Sequence, residues 1–358
     1  MRRSASKFMA SAAHRVALVS FMSLACASCH VGKGDFALSG PTMGTTYHVK
    51  IRVQESGLFA HGKLVKQVQS AIDDVLAGID EQMSTYRDSS EISRLNSAPA
   101  NTPIAVSADL FSVFQTAGRI SEESGGAFDI TVGPLVNAWG FGPKKSIEPK
   151  EPTGSELADL LDLVGFQKLT LNAEGKTIAK MHASTYCDLN SIAPGYAVDK
   201  VALALDALSI EHYMVEIGGE VRAKGLNEEG QPWQIAIEKP TLLPEQQIET
   251  VVPLSGMSLA TSGDYRNFIE IDGQRFSHTI DPKSGRPVTH KLASVTVITK
   301  ECVDADGYAT AIMAMGPEAG MAMAERLKLS VYMILHSDDG QYRVETSSAF
   351  QQQPGQSQ

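Results

Sequence analysis

The chain has 358 residues, 43% of them apolar and 20% charged, with a formal charge of -10. That is enough apolar material for one large domain or two ordinary ones with a substantial core. An acidic chain without a long basic run is a poor general partner for nucleic acid, so an anionic ligand here needs backbone N–H groups or a metal ion.

Residues 1–29 read as an export leader. Arg2, Arg3, Lys7 and Arg15 precede an apolar run from Val16 to Ala27 that ends in small residues. The run is short for a membrane span. Its end, Leu24-Ala-Cys-Ala-Ser-Cys29, resembles a bacterial lipoprotein cleavage site, with Cys29 the expected lipidated residue and plain secretion the alternative. Only Cys187 and Cys302 remain in the body, too few for a disulfide scaffold.

The body opens with a Gly-Pro turn in Ser39–Tyr47. Tyr47, Val49, Ile51 and Val53 then alternate as a half-buried strand. Leu64, Val65, Val68, Ala71, Ile72, Val75, Leu76, Ile79 and Met83 keep the spacing of a long amphipathic helix. Asp88 and Glu91 suggest a capping box for a short second helix, and Ala108–Ser124 a further one. Gly125-Gly126 makes a turn into an apolar, strand-like segment ending at Pro134. A surface loop over 142–154 leads to a helix at Ser155–Leu163 and strands near Leu169–Leu171 and Thr177–Ala179.

The segment Tyr186–Lys200 reads as a strand end, a loop and a helix reaching about Leu208, with Pro194 in its first turn. Eight strands follow between Tyr213 and Thr299, and Asp272-Gly273 is a hairpin signal among them. A helix from Cys302, a second over Pro317–Leu327 and strands Val331–His336 and Tyr342–Glu345 close the pattern. Alternating helices and strands followed by an antiparallel block predict an α+β fold. The Gln- and Ser-rich tail 346–358 reads as disordered, leaving 30–345 as the folded domain.

The mature body has no GxGxxG, P-loop, HExxH or CxxC. Three polar clusters remain. Asp306 and Thr310 are four apart on a helix and share a face, a hard-oxygen pair suited to Mg²⁺ or Ca²⁺. The same residues also suit a plain helix start, with Asp304 or Asp306 as cap and Thr310 bonded to a carbonyl one turn back. The first turn at Pro194 could offer N–H groups to an anion, or simply cap a helix. His278, in Ser277-His-Thr-Ile-Asp281, ends a strand beside a turn, where a general base could sit, although a lone histidine at a strand end is more often structural.

Eight segments extend this reading: Pro41–Tyr47, Met83–Tyr86, Gly126–Pro134, Asp188–Asp199, Val215–Glu220, Ala260–Arg266, Ser277–Pro282 and Ala305–Thr310. In this order they resemble the ApbE family of FAD:protein FMN transferases, over about residues 38 to 336. The resemblance implies a Mg²⁺-dependent phosphoryl transfer in which FAD is split, FMN joins a threonine hydroxyl of a target protein, and AMP leaves. An FAD pyrophosphatase or a non-catalytic flavin-binding lipoprotein are the alternatives. The implied targets are flavin-carrying subunits of membrane redox complexes, of the sodium-pumping NADH:quinone reductase or Rnf type, which places the protein on the periplasmic side of the inner membrane.

Carried over by position, the family pattern implies FAD contacts at Met43, Tyr86, Ala127, Phe128, Asp129, Asp188, Pro194 and Ile280. It implies metal ligands at Asp306, Thr310 and the backbone carbonyl of Ser191, and His278 as the base for the target threonine. Relatives commonly carry Lys where this chain has Pro194. That departure should weaken phosphate binding or shift that role to the metal and the backbone.

Overall fold

The computed structural model describes residues 34–53, 58–142, 150–240, 247–263, 268–271, 274–337 and 339–353. The leader with Cys29, most of the expected loop 142–154, and the Asp272-Gly273 turn lie outside them.

The chain opens with a hairpin of β1 (Phe36–Thr42) and β2 (Thr45–Ile51), then the long helix α1 (Leu58–Met83) and the short α2 (Glu91–Ser97). Strand β3 (Ile104–Ala105) and helices α3 (Ala108–Glu123), α4 (Gly133–Ala138) and α5 (Gly154–Leu161) follow. Strands β4 (Leu169–Asn172) and β5 (Thr177–Lys180) lead to α6 (Ala193–Ala207). Next come β6 (Tyr213–Ile217), β7 (Glu220–Lys224), β8 (Trp233–Glu238), β9 (Ile248–Leu254) and β10 (Met257–Gly263). The last third holds β11 (Phe268–Ile271), β12 (Gln274–Ser277), β13 (Leu292–Thr299), α7 (Cys302–Met315), α8 (Pro317–Leu327), β14 (Ser330–His336), β15 (Tyr342–Thr346) and α9 (Ser348–Gln351).

The main sheet runs β1-β2-β6-β7-β10-β13-β14-β15, with every neighbouring pair antiparallel. Its central strands are buried on both faces. Val331, Met333 and Leu335 of β14 face the helical layer of α1, α3, α6 and α7. Tyr332 and Ile334, one position out of phase, face a second apolar cluster under the β8–β9 hairpin. A third cluster joins α4 and α5 to Phe276 of β12 and to Ile280. Helix α7 is buried nearly all round, from Cys302 to Ala314, which makes it the central helix of the layer.

Four local expectations change. Gly40 and Pro41 lie inside strand β1 rather than in a turn. Pro41 is tolerated because β1 is an edge strand, where a missing N–H breaks no ladder. The cap of α2 is Ser90, whose hydroxyl accepts from Ser93 N at 3.1 Å; Glu91 instead accepts from Ser107 N at 2.7 Å. The segment before Pro134 forms one parallel bridge, Val132 to Tyr186, and Gly133-Pro134 then start a helix. The tail folds as far as α9, where Ser347 caps the helix and Phe350 is buried in the second cluster. Cys187 and Cys302 are buried free thiols.

Candidate active site

The site is built on a close crossing of α6 and α7. Gly195, in the first turn of α6, lies against α7 so tightly that a Cβ there would sit 2.6 Å from the Cys302 carbonyl oxygen and 2.7 Å from Asp306 Cβ. Across this contact Gly195 N–H donates to Asp306 Oδ2 at 2.9 Å. The carboxylate therefore does not cap its own helix. Asp304 does not cap it either; its carboxylate pairs with Arg119 of α3. The plain-cap reading of this stretch is thereby removed.

Asp306 is buried, and burial pushes its carboxyl up to about 7 against the opposing pull of the Gly195 N–H. Glu220, at the start of β7, is raised well above its usual range by burial and then by the charge of Asp306. Thr310, one turn along α7, has its hydroxyl 3.5 Å from that of Ser262 on β10, not on a carbonyl one turn back. Ser191 stands in the turn just before α6. Two neighbouring carboxyls and the hydroxyls of Thr310 and Ser262 make a hard-oxygen donor set of net negative charge, and these residues fit a divalent cation such as Mg²⁺.

The start of α6 offers less to an anion than its sequence suggests. Pro194 has no N–H, Ala193 N donates to Leu189 O at 2.8 Å, Gly195 N to Asp306, and Tyr196 N to Ile192 O at 3.1 Å. The expected row of N–H groups for a pyrophosphate is occupied within the protein.

A second set of residues comes together around Asp188. This carboxylate is buried and raised by that burial; its Oδ1 accepts from Asn190 N at 2.8 Å. Its own N–H donates to Ile130 O at 2.7 Å, which ties it to the turn carrying Ala127, Phe128 and Asp129. That turn uses left-handed backbone at Gly125 and Gly126, with φ of 61° and 83°. Asp129 holds the turn's shape: Oδ1 accepts from Thr131 N at 2.8 Å and Thr131 Oγ1 at 2.6 Å, and Oδ2 from Phe166 N at 2.7 Å. Ala127 and Phe128 are both buried.

Sequence reasoning missed the residues that brace this set. Asn96 of α2 imitates a strand neighbour, accepting from Cys187 N at 2.7 Å and donating to Cys187 O at 2.9 Å. Lys180, fully buried, donates to the carbonyls of Asn96, Ala183 and Thr185 at 2.6, 2.7 and 2.9 Å. Burial, then the charge of Asp188, raise the Tyr186 phenol; Tyr86 is largely exposed.

Met43 is at the tip of the β1–β2 hairpin. With Gly44 it makes a two-residue turn, φ 48° and 75°, the primed geometry such hairpins need. A left-handed methionine costs about 1 kcal/mol, and the hairpin register imposes it. The neighbouring Thr45 lies against Gly218, in the turn before Glu220. Ile280 belongs to the third cluster, and His278 lies against Phe141 of the same cluster. Ile280 is buried and bridges Pro287, and the His278 ring meets Phe141 edge-on at 6.4 Å between centroids. That cluster rests on α4, the helix leading directly out of the Asp129 turn.

The chain thus combines an α+β fold with an oxygen-rich cluster at Asp306, a tight glycine turn at Gly125-Gly126 and a buried aspartate at Asp188. The ApbE family model matches residues 43–334, so this chain belongs to the ApbE family. It is 46% identical over 332 residues to the FAD:protein FMN transferase of Haemophilus influenzae, covering 92% of this chain and 94% of that protein. A Vibrio cholerae FAD:protein FMN transferase is 46% identical over 335 residues, covering 94% of this chain and 97% of the relative. The solved structure of flavin transferase ApbE from Vibrio cholerae superposes with a TM-score of 0.79 at 45% identity, over 88% of this chain and 98% of that one.

Proposed function

We infer that this chain is an FAD:protein FMN transferase. The single observation that carries the reading is near-full-length identity of 46% to proteins of that name, on a fold that superposes over 98% of a solved flavin transferase. In the transfer, a threonine oxygen of the target forms a bond to the FMN phosphorus. The bond from that phosphorus to the AMP oxygen breaks, AMP carries away the electron pair, and the threonine proton goes to a base.

The finer assignments are proposals. Asp306, Thr310 and the Ser191 carbonyl would hold Mg²⁺. When bound, Mg²⁺ neutralises charge on the pyrophosphate. The chain's own residues then bind and orient. Met43, Tyr86, Ala127, Phe128, Asp188 and Ile280 contact FAD. Asp129 acts by keeping the 125–131 turn in shape, since both its oxygens already accept bonds there. Pro194 lies at the pyrophosphate without a donor of its own, which leaves neutralisation to the cation. His278 takes the threonine proton. The target is a flavin-accepting subunit of a membrane redox complex, of the sodium-pumping NADH:quinone reductase or Rnf type. The enzyme works on the periplasmic side of the inner membrane, exported by its leader and anchored through a lipid on Cys29.

The test incubates the protein with FAD, Mg²⁺ and a candidate target domain. In-gel flavin fluorescence on the denatured target supports transfer, and Asp306→Ala should abolish it. Free FMN without labelled target would replace transfer by hydrolysis; intact FAD would refute both enzymatic readings. Mass spectrometry of the mature N-terminus decides lipidation of Cys29.

A further inference from the structure

Helix α7 carries both side chains proposed to hold the cation, yet it does not secure its own start. Its N-cap residue, Glu301, makes no side-chain capping bond. The N–H groups of Cys302 and Val303 are instead taken by Asp199, from the body of α6. Cys302 N donates to Asp199 Oδ1 and Val303 N to Oδ2, each at 2.9 Å. Asp199 is buried, and Arg222 on β7 clamps it, donating to Asp199 Oδ1 and to Glu301 Oε2 at 2.5 Å each.

Asp199 follows Gly195 by four residues, so the two share one face of α6. That face therefore meets α7 twice, and in opposite senses. At Gly195 it donates to a side chain of α7; at Asp199 it accepts from the backbone of α7. With the glycine contact, which has no spare room, these bonds hold the start of α7 and the Asp306 carboxylate to one face of α6. The Ser191 carbonyl belongs to the turn that opens α6, and Asp306 and Thr310 belong to α7. Their mutual distances follow from how the two helices are registered.

We propose that Asp199 is a positioning residue for the cation site: it touches neither cation nor substrate, and sets the placement of Asp306 and Thr310 against the Ser191 carbonyl. The inference rests on the cation reading given under Proposed function. Mg²⁺ requires near-ideal octahedral geometry at about 2.1 Å and tolerates little misplacement of its ligands. Groups that hold ligands in place are worth about 10–100-fold in metal affinity.

Isothermal titration of Mg²⁺ into the wild-type protein, Asp199→Asn and Asp306→Ala tests this, with circular dichroism confirming that each is folded at the working temperature. Asparagine keeps the shape but accepts only one of the two N–H bonds and no longer balances Arg222. Its Mg²⁺ dissociation constant should rise about 10–100-fold, and its transfer rate should recover part of its loss at high Mg²⁺. A residue that only stabilised the fold would leave the dissociation constant of the folded protein unchanged, and that result overturns the proposal. Wild type that binds no Mg²⁺ refutes the cation reading itself, and the proposal with it. Should Asp199→Asn not fold, Arg222→Gln loosens the same carboxylate while leaving both N–H bonds. A smaller rise in the same direction is then expected, and an unchanged constant is again fatal.

Discussion

Replacing Gly195 by alanine probes the crossing on which the site depends. Gly195 has no left-handed backbone to protect, so the effect is purely one of space. In a helix free of neighbours, the exchange would stabilise by about 1 kcal/mol. Here the new Cβ would lie 2.6 Å from the Cys302 carbonyl oxygen and 2.9 Å from its carbon. Both are backbone atoms and cannot rotate away. Ordinary contact begins at 3.4 Å, so the helices must part by 3.4 − 2.6 = 0.8 Å along that line. A similar opening along the Gly195 N–Asp306 bond would take it from 2.9 Å to about 3.7 Å, beyond hydrogen-bonding distance. Overpacking costs about 1–3 kcal/mol, and a bond to a buried carboxylate about 1.5–3 kcal/mol. Against the helical gain of about 1 kcal/mol, the net loss should be about 1.5–5 kcal/mol. Urea unfolding measures it directly, and Mg²⁺-dependent flavin transfer should fall alongside. Gly195→Ala with equal or higher stability and full transfer would refute the close-crossing argument, because the sign itself would be wrong.

Lys180→Met should destabilise by about 2–4 kcal/mol, because the carbonyls of Asn96, Ala183 and Thr185, two of them buried, lose the ammonium that donates to each; a chemical denaturation midpoint equal to wild type would contradict this. His278→Gln should lower the transfer rate by about 100-fold or more while FAD affinity, measured by fluorescence quenching, stays within a few-fold. Full transfer by that variant would end its role as base. The pH dependence follows from Asp306, whose carboxyl is raised from 3.8 to about 7 by burial. The folded, cation-free protein keeps a proton that the unfolded chain has released, so its stability contribution from this group falls as pH rises from about 4 to 7. Mg²⁺ must displace that proton, so its affinity should climb about tenfold per pH unit below 7 and level off above. Thermal melts with and without Mg²⁺ should therefore diverge as pH rises; a gap independent of pH would assign the proton elsewhere.

Much of the architecture was legible because it rests on local periodicity. Helix α1, the strands from β6 to β13 and the α7–α8 pair follow apolar spacing that needs no partner to be read. The misread segments are those where a distant contact decides. Ile130-Thr-Val132 has the β-branched character of a strand, but only Val132 finds a strand neighbour, in Tyr186. The Gln-rich tail lacks the apolar content for a helix of its own, yet Phe350 alone reaches a core built by β14 and the β8–β9 hairpin. The same division holds at the site. Asp306 and Thr310 are visible as an i, i+4 pair. Their meaning is not local, since the choice between cap and ligand turns on Gly195, more than a hundred residues away. Asn96 and Lys180 carry no local signature, because each acts on backbone groups that any residue could supply; Asp199 lies in a family-like segment, but nothing in that segment shows that it caps α7.

The cost of this arrangement points to its purpose. Asp306 and Glu220 are neighbouring carboxyls, both raised by burial, and Glu220 is further raised by the charge of Asp306. Two other buried or half-buried acids are paired with cations, Asp199 with Arg222 and Asp304 with Arg119, whereas the buried Asp188, like Asp306, accepts a backbone N–H. Among the described residues, the Asp306 carboxylate accepts a single backbone N–H, from Gly195. Replacing either acid by an apolar residue would relieve the desolvation and the repulsion together. Retaining two acids where folding would prefer none is understandable if a divalent cation completes the site, since its charge reverses the sign of both penalties. Removing one of them should then act in opposite directions on the two properties. Glu220→Gln should raise the cation-free melting temperature and weaken Mg²⁺ binding, whereas a purely structural acid would lower the first and leave the second unchanged.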